Sequence, residues 1–376
     1  MEVARRYAQR VSSILAILGS GEIAPNMVKV HRELFARLDA IDAVFLDTPF
    51  GFQENVPQLS EKIQTYFDTS LQVSMQAASF CSFERSSELE RTQFIQKVSA
   101  ANYVFAGPGS PSYALHQWAP LNLGETLRRT LEQDGIVCFS SAAALTLGSH
   151  TAPIYEIYKV GAELAWLPGL DVLSQAGLRA AVIPHYDNAE GGNHDTSRCY
   201  IGANRLAQME ALLPDDVAIF GVDEHTAAII DLDADTISVR GRGNAYWRLG
   251  GSERVLANGT TVALSELRNV PRAPRVQDSS EVVVADQSPQ ALGELIARNG
   301  EGALEALSAL VSLATSGGPG RVDPAPLIDA VLVARANARA TGQYELSDQL
   351  RDAILTIGAE VKDGPNGATW HFRDNL

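Results

Sequence analysis

The chain has 376 residues, 45% of them hydrophobic and 20% charged, with a formal net charge of −15. That length exceeds one average domain, and the composition suffices for a large core. The acid excess argues against a nucleic-acid or anionic-membrane surface as the chain's main business, because both need clustered Lys and Arg. A local basic pocket stays compatible with it.

The N-terminal stretch MEVARRYAQRVSSILAILGSGEIAP mimics a signal peptide. Its apolar run ILAIL is short and is stopped by GSGE, so it reads as a first buried strand. No run reaches the ~18–20 apolar residues that span a bilayer, so no membrane partner is expected. Strands are then predicted at 13–18, 42–47, 71–76, 101–107, 135–140, 178–188 and 216–223, with helices between the earlier ones. Continuous apolar strands alternating with helices imply an α/β fold, a mostly parallel sheet sandwiched by helices. Strands within 228–264, with an Asn-Gly turn in VLANGTTVAL, read as antiparallel additions at an edge. Residues 269–290 are rich in Pro, Ser and charge and read as a linker after a first domain, 1–268. A second, helical domain spans 291–376, with helices near 291–315 and 323–357 and a hairpin or extended finish. The three cysteines, Cys81, Cys138 and Cys199, are far apart, which fits a reducing cytosol and gives no zinc spacing. A cytoplasmic protein without cofactor or metal is expected.

Ligands of such sheets bind at the carboxyl ends of the strands. Three strings fall there. AGPGSPSYAL (106–115) is a glycine loop between a strand and a helix. CFSSAAALTLG (138–148) has the shape of a nucleophile elbow with Ser141 on the corner. IPHYDNAEGGNHDTSRCYIGANRL (183–206) is polar and costly to order for packing alone. Ser141 taken alone reads first as an ordinary N-cap serine, and only its partners elsewhere in the chain favour catalysis. His185, Asp187, His194, Asp195 and Cys199 offer metal-ligand atoms, but at no recognised spacing. Arg198 suits a substrate carboxylate or a surface ion pair.

Together with GVDEHTAAII (221–230), these strings resemble the peptidase E and cyanophycinase family of serine peptidases, across roughly residues 13–265. The resemblance implies the fold of class I glutamine amidotransferases. It also implies a catalytic triad of Ser141, His185 and Glu156, the acid lying fifteen residues after the nucleophile. Backbone N–H groups of Gly109 and Ala142 would form the oxyanion hole. Ser110, Asn188, His194, Asp195, Arg198 and Glu224 would bind substrate. The chemistry suits those residue types. A serine hydroxyl needs a base to take its proton, histidine titrates near operating pH, and an acid fixes the imidazole tautomer. The elbow departs from G-x-S-x-G at Phe139 and Ala143. A phenylalanine pointing inward would narrow the site.

Residues 327–372 resemble the C-terminal tail of cysteinyl-tRNA synthetases. The matching positions are Arg335, 338–339, LSDQLRD (346–352), IGAEVKD (357–363) and GATW (367–370), with no synthetase catalytic motif in the chain. Residues 290–376 carry seven Lys and Arg against eleven Asp and Glu, a poor phosphate surface. The module therefore reads as an interaction or homo-oligomerisation domain ahead of a tRNA contact. The chain as a whole reads as a serine hydrolase cleaving an amide in a small peptide or amino-acid conjugate. The alternatives are a non-catalytic binding or regulatory protein on the same fold, and a tRNA- or amino-acid-linked accessory protein.

Overall fold

The computed structural model describes residues 13–268, and then 328–329, 331–332, 335–336, 339, 344–356, 359–364 and 367–372. The predicted linker 269–290 and the predicted helix near 291–315 lie outside the described residues. The chain divides into two compact units, 1–275 and 276–376.

In the first unit the strands are β1 (Ile14–Leu18), β2 (Ala43–Leu46), β3 (Met75–Ala78), β4 (Tyr103–Ala106), β5 (Ile136–Ser140), β6 (His150–Thr151) and β7 (Leu167–Pro168). They continue with β8 (Ala180–Ile183), β9 (Ala218–Val222), β10 (Thr226–Asp231), β11 (Thr236–Gly241), β12 (Ala245–Leu249), β13 (Ser252–Leu256) and β14 (Thr261–Ala263). Among the described residues they form two sheets. The larger has the order β14-β11-β10-β1-β5-β4-β2-β3, and the smaller β13-β12-β9-β8-β6-β7. The run from β3 to β1 is parallel throughout, and β10 joins it antiparallel to β1. This is an α/β fold whose parallel strands are flanked by helices.

Why these strands carry no polar alternation follows from their surroundings. In β1 every residue is buried, Leu15 and Ile17 on one face and Ile14, Ala16 and Leu18 on the other. The second face packs on helices Val28–Phe35 and Val56–Tyr66, through Val30, Leu34 and Ile63. The first face packs on helices Glu88–Ala100, Pro111–Trp118 and Leu123–Glu132, and its core runs on to Val182, Phe220 and Trp247 of the smaller sheet. The far face of that sheet is covered by helix Ala203–Ala211 through Leu206 and Met209. A strand buried on both faces has no solvent side to mark with polar residues.

Two expectations change. The third strand starts four residues later than its apolar run suggests, because Phe67–Leu71 continues the preceding helix as a wide π turn. The Asn258-Gly259 turn closes no hairpin. β13 pairs with β12 in the smaller sheet and β14 with β11 in the larger one, so the turn carries the chain from one sheet to the other.

Phe139 is fully buried in the first core, its ring 6.0 Å from that of Trp118. Its side chain is enclosed in that core, among residues of both sheets, and does not project into open space. Phe139→Ala is therefore expected to cost about 3–5 kcal/mol as a core cavity. A urea titration checks this, and a loss under about 1 kcal/mol would contradict the placement.

In the second unit, helix Tyr344–Thr356 and the hairpin of β15 (Ala359–Gly364) and β16 (Gly367–Phe372) share a small core of Ile328, Val331, Leu332, Leu350, Ile354 and Ala359. Arg335 is buried and grips Asp363 with two bonds of 2.5 and 2.9 Å, and Arg339 reaches the same carboxylate at 3.3 Å.

Candidate active site

β5 runs out at Ser140, and the chain turns at Ser141 into the short helix Ser141–Leu145. The pleat decides which serine serves which side. Ser140 is fully buried and donates its hydroxyl to Glu22 Oε2 at 2.8 Å. Ser141 stands on the corner with φ of 51°, a left-handed conformation that a side chain makes costly. Such strain persists only where surrounding contacts hold it. Ala143 N–H supplies one, bonding Gly107 O across the elbow at 3.1 Å.

The groups facing Ser141 come from the smaller sheet. β8 and β9 are adjacent and parallel, with Ile183 opposite Gly221. His185 lies two residues beyond the end of β8, and Glu224 two residues beyond the end of β9. Parallel pairing brings the two strand ends together, so that both residues emerge at the same edge of the sheet. Ser141 Oγ is 2.9 Å from His185 Nε2, and His185 Nδ1 is 2.7 Å from Glu224 Oε1. A carboxylate only accepts, so Nδ1 carries the proton and the Nε2 lone pair receives the serine hydroxyl. The imidazole N–H holds the Glu224 carboxyl down to about 2, against its own partial burial, and the Asn188 amide adds to the effect.

Further contacts fix this acid. Asn188 is buried and donates to Glu224 Oε1 at 3.0 Å, and Asp187 accepts the Glu224 backbone N–H at 2.7 Å. The close approach of the strand ends also needs Gly19, where a Cβ would lie 1.9 Å from Asp223 O. The resemblance assigns Asn188 and Glu224 to substrate. Here Glu224 orients the histidine and Asn188 orients Glu224.

The family spacing points to Glu156 as the acid on His185. In the structure Glu156 accepts a hydrogen bond from Ser112 Oγ at 2.6 Å, and its other oxygen is buried without a partner. It belongs to the turn Glu156–Val160, pinned by buried Ile154 and Ile157, and the position beside Nδ1 is already filled by Glu224. Fifteen residues of separation set no direction in space; strand adjacency does.

The loop 107–110 runs beside the elbow. Gly109 has φ of +142°, and a Cβ there would sit 2.0 Å from Pro49 O. Only glycine fits, and Ser110 N–H then reaches Pro49 O at 2.7 Å. Ser110 is a helix N-cap, accepting from Tyr113 N–H at 3.2 Å. It also lines a cavity of about 960 Å³ together with Phe52, Arg85, Ser112, Tyr113 and Glu156. Ala142 opens the helix after Ser141 and is nearly buried.

The polar segment 183–206 is spent mostly on itself. Asp195 accepts from Ser197 N–H at 2.9 Å and from Ala203 N–H at 2.7 Å, which caps the following helix and keeps its carboxyl below the usual range. The Arg198 guanidinium lies 3.8 Å over the Tyr186 ring and bonds Tyr186 O at 2.9 Å. Both side chains are engaged in ordering the loop. His194 does line a cavity, of about 380 Å³, with Tyr158, Glu190 and Tyr200, and the Tyr200 ring sits 6.3 Å from that of His185. Cys199 is buried, which pushes its thiol up to about 12. Among the described residues no three His, Cys, Asp or Glu side chains converge on a position that could hold a metal ion. No described helix is long and apolar enough to cross a membrane.

No protein-family model matches the chain. A crystal structure of a peptidase from an acI-B1 Actinobacterium superposes with a TM-score of 0.54 at 18% identity, covering 67% of this chain and 97% of that one. This likeness is one of fold. A cysteine–tRNA ligase of Arthrobacter sp. (strain FB24) is 47% identical over 47 residues, 12% of this chain and 10% of the ligase. That of Paenarthrobacter aurescens (strain TC1) is 36% identical over 123 residues, 30% of this chain and 24% of the ligase. The chain thus spans a quarter or less of these relatives' length, in keeping with a tail-like module.

Proposed function

We propose that the first unit is a serine hydrolase that cleaves an amide bond in a small peptide or amino-acid conjugate. The carrying observation is the continuous chain of bonds from Ser141 Oγ through His185 to Glu224, at 2.9 and 2.7 Å, with the serine held in a strained corner. The peptidase fold of its structural neighbour supports the same reading.

In this reading Ser141 Oγ attacks the substrate carbonyl while His185 Nε2 takes its proton. The carbonyl oxygen gains charge and is met by the N–H groups of Gly109 and Ala142, each worth about 10²–10³ in rate. His185 then hands its proton to the departing amine, leaving an acyl group on Ser141. A water molecule deprotonated by the same nitrogen releases that acyl group and restores the serine. Glu224 stays ionised throughout and steadies the imidazolium. The non-catalytic alternative draws on Phe139, and Phe139 faces the core.

A fluorophosphonate probe tests the proposal. The expected adduct maps to the Ser141 peptide by mass spectrometry, and an intact, folded chain that takes up no probe would sink it. For the second unit the interaction reading is the better one, because Arg335 and Arg339 are both committed to Asp363 and are not free for phosphate.

A further inference from the structure

We propose that Glu156 is a positioning residue that aims the oxyanion loop 107–110 at the nucleophile. The proposal rests on the serine-hydrolase reading above. It gives a role to an acid that the triad leaves unused.

Two serines connect Glu156 to that loop. Ser112 Oγ lies 2.6 Å from Glu156 Oε1 and 3.1 Å from Ser110 Oγ. The directions of these bonds follow from one end. The carboxylate can only accept, so Ser112 donates its proton to Glu156. Ser112 is then left with lone pairs alone, so Ser110 donates to Ser112. Ser110 in turn accepts from Tyr113 N–H at 3.2 Å. One carboxylate thus orders two hydroxyl protons and a helix N-cap in a single sense, and such chains strengthen bond by bond.

The anchor and the loop belong to different layers. Glu156 is fixed beside Ile154 and Ile157, which are buried in the core on the far face of the smaller sheet. Loop 107–110 follows β4 of the larger sheet. It is held on one side by Pro49 O through Ser110 N–H, and on another by Ala143 N–H through Gly107 O. The Glu156 chain supplies the third hold, at Ser110, next to the N–H of Gly109. A small tilt of that peptide would move the donor off the position of the developing oxyanion. Geometric errors of that size are costly in catalysis.

The second carboxylate oxygen argues against a purely structural role. Glu156 Oε2 is buried with no partner, which disfavours the folded state. An apolar residue would pack there without that cost. What the polar side chain adds is an acceptor oxygen for Ser112.

The test uses the full chain, with p-nitrophenyl acetate as acyl donor and a fluorophosphonate as covalent probe. Glu156→Ala is expected to lower kcat and the rate of probe labelling by about 10–100-fold, with KM within about threefold. Glu156→Gln keeps an acceptor oxygen for Ser112 and is expected to recover most of that loss. Ser112→Ala should reproduce the Glu156→Ala drop, and it decides the matter if Glu156→Ala shows no cooperative melting. An unchanged kcat in Glu156→Ala, a change confined to KM, or a Gln variant as poor as the Ala variant would each overturn the proposal. The underlying reading fails separately, if turnover by the wild type survives Ser141→Ala.

Discussion

Ser141→Ala is expected to lower kcat by about 10⁶-fold and to leave only the residual rate enhancement of an intact oxyanion hole and binding cleft, about 10³–10⁴ over water. Fluorophosphonate labelling should vanish with it. Stability should hardly move, because alanine meets the same penalty as serine at φ of 51° and the neighbouring contacts stay in place. Ser140→Ala provides the opposite case one residue away. It removes the donor to the buried Glu22 carboxylate, which costs about 1–3 kcal/mol, but it keeps the nucleophile. Labelling and thermal melting of both variants separate the two serines. Labelling lost in Ser140→Ala and kept in Ser141→Ala would reverse the assignment.

Glu224→Gln is expected to lower kcat by about 10⁴-fold, the cost of an imidazole held in the wrong tautomer with no charge to steady its protonated form. The pH behaviour follows from the sign of its shift. The Glu224 carboxyl lies near 2 in the folded protein, below its ordinary value of 4.5, held there chiefly by the bond from His185. The stability it contributes is therefore fully present above about 4.5 and is lost as pH falls through 2. Between pH 4 and 8 it stays ionised and gives the rate profile no limb. An acid limb of kcat/KM in that range that persists in a slow Glu224→Gln enzyme fits this assignment. A limb near 4–5 that disappears in the variant contradicts it.

Much of the fold was legible because strands buried on both faces leave continuous apolar runs such as SILAIL and DAVFLD, and these locate β1 and β2. The division into two sheets was not. The segment 226–263 alternates like one meander, yet its strands β10, β11 and β14 join one sheet and β12 and β13 the other. Nothing local in Asn258-Gly259 says that the chain crosses over there. In the site, Ser141 and His185 could be found from strings that follow apolar strands. The acid was harder, because Glu156 and Glu224 are both carboxylates near strand ends. The usable signal was symmetry: PH follows β8 and DE follows β9 by the same number of residues. It becomes readable only once β8 and β9 are known to be parallel neighbours. Asp195 and Arg198 order their own loop, and the sequence does not show this because loop-ordering and ligand-binding chemistry draw on the same side chains.

The position of β1 has a consequence for the protein as it is made. β1 is paired to β5 on one side and to β10 on the other, so the strand that leads to Ser141 and the strand that leaves Glu224 share the same first-made neighbour. The nucleophile can be in place once residues up to about 145 have emerged, but the acid arrives some eighty residues later and is seated only when Thr226–Asp231 zips onto Ile14–Leu18. A nascent chain stalled between those points would carry the serine without its completed relay. On the serine-hydrolase reading, the relay from Ser141 to Glu224 is therefore complete only when β10, the last made of these three strands, has paired with β1.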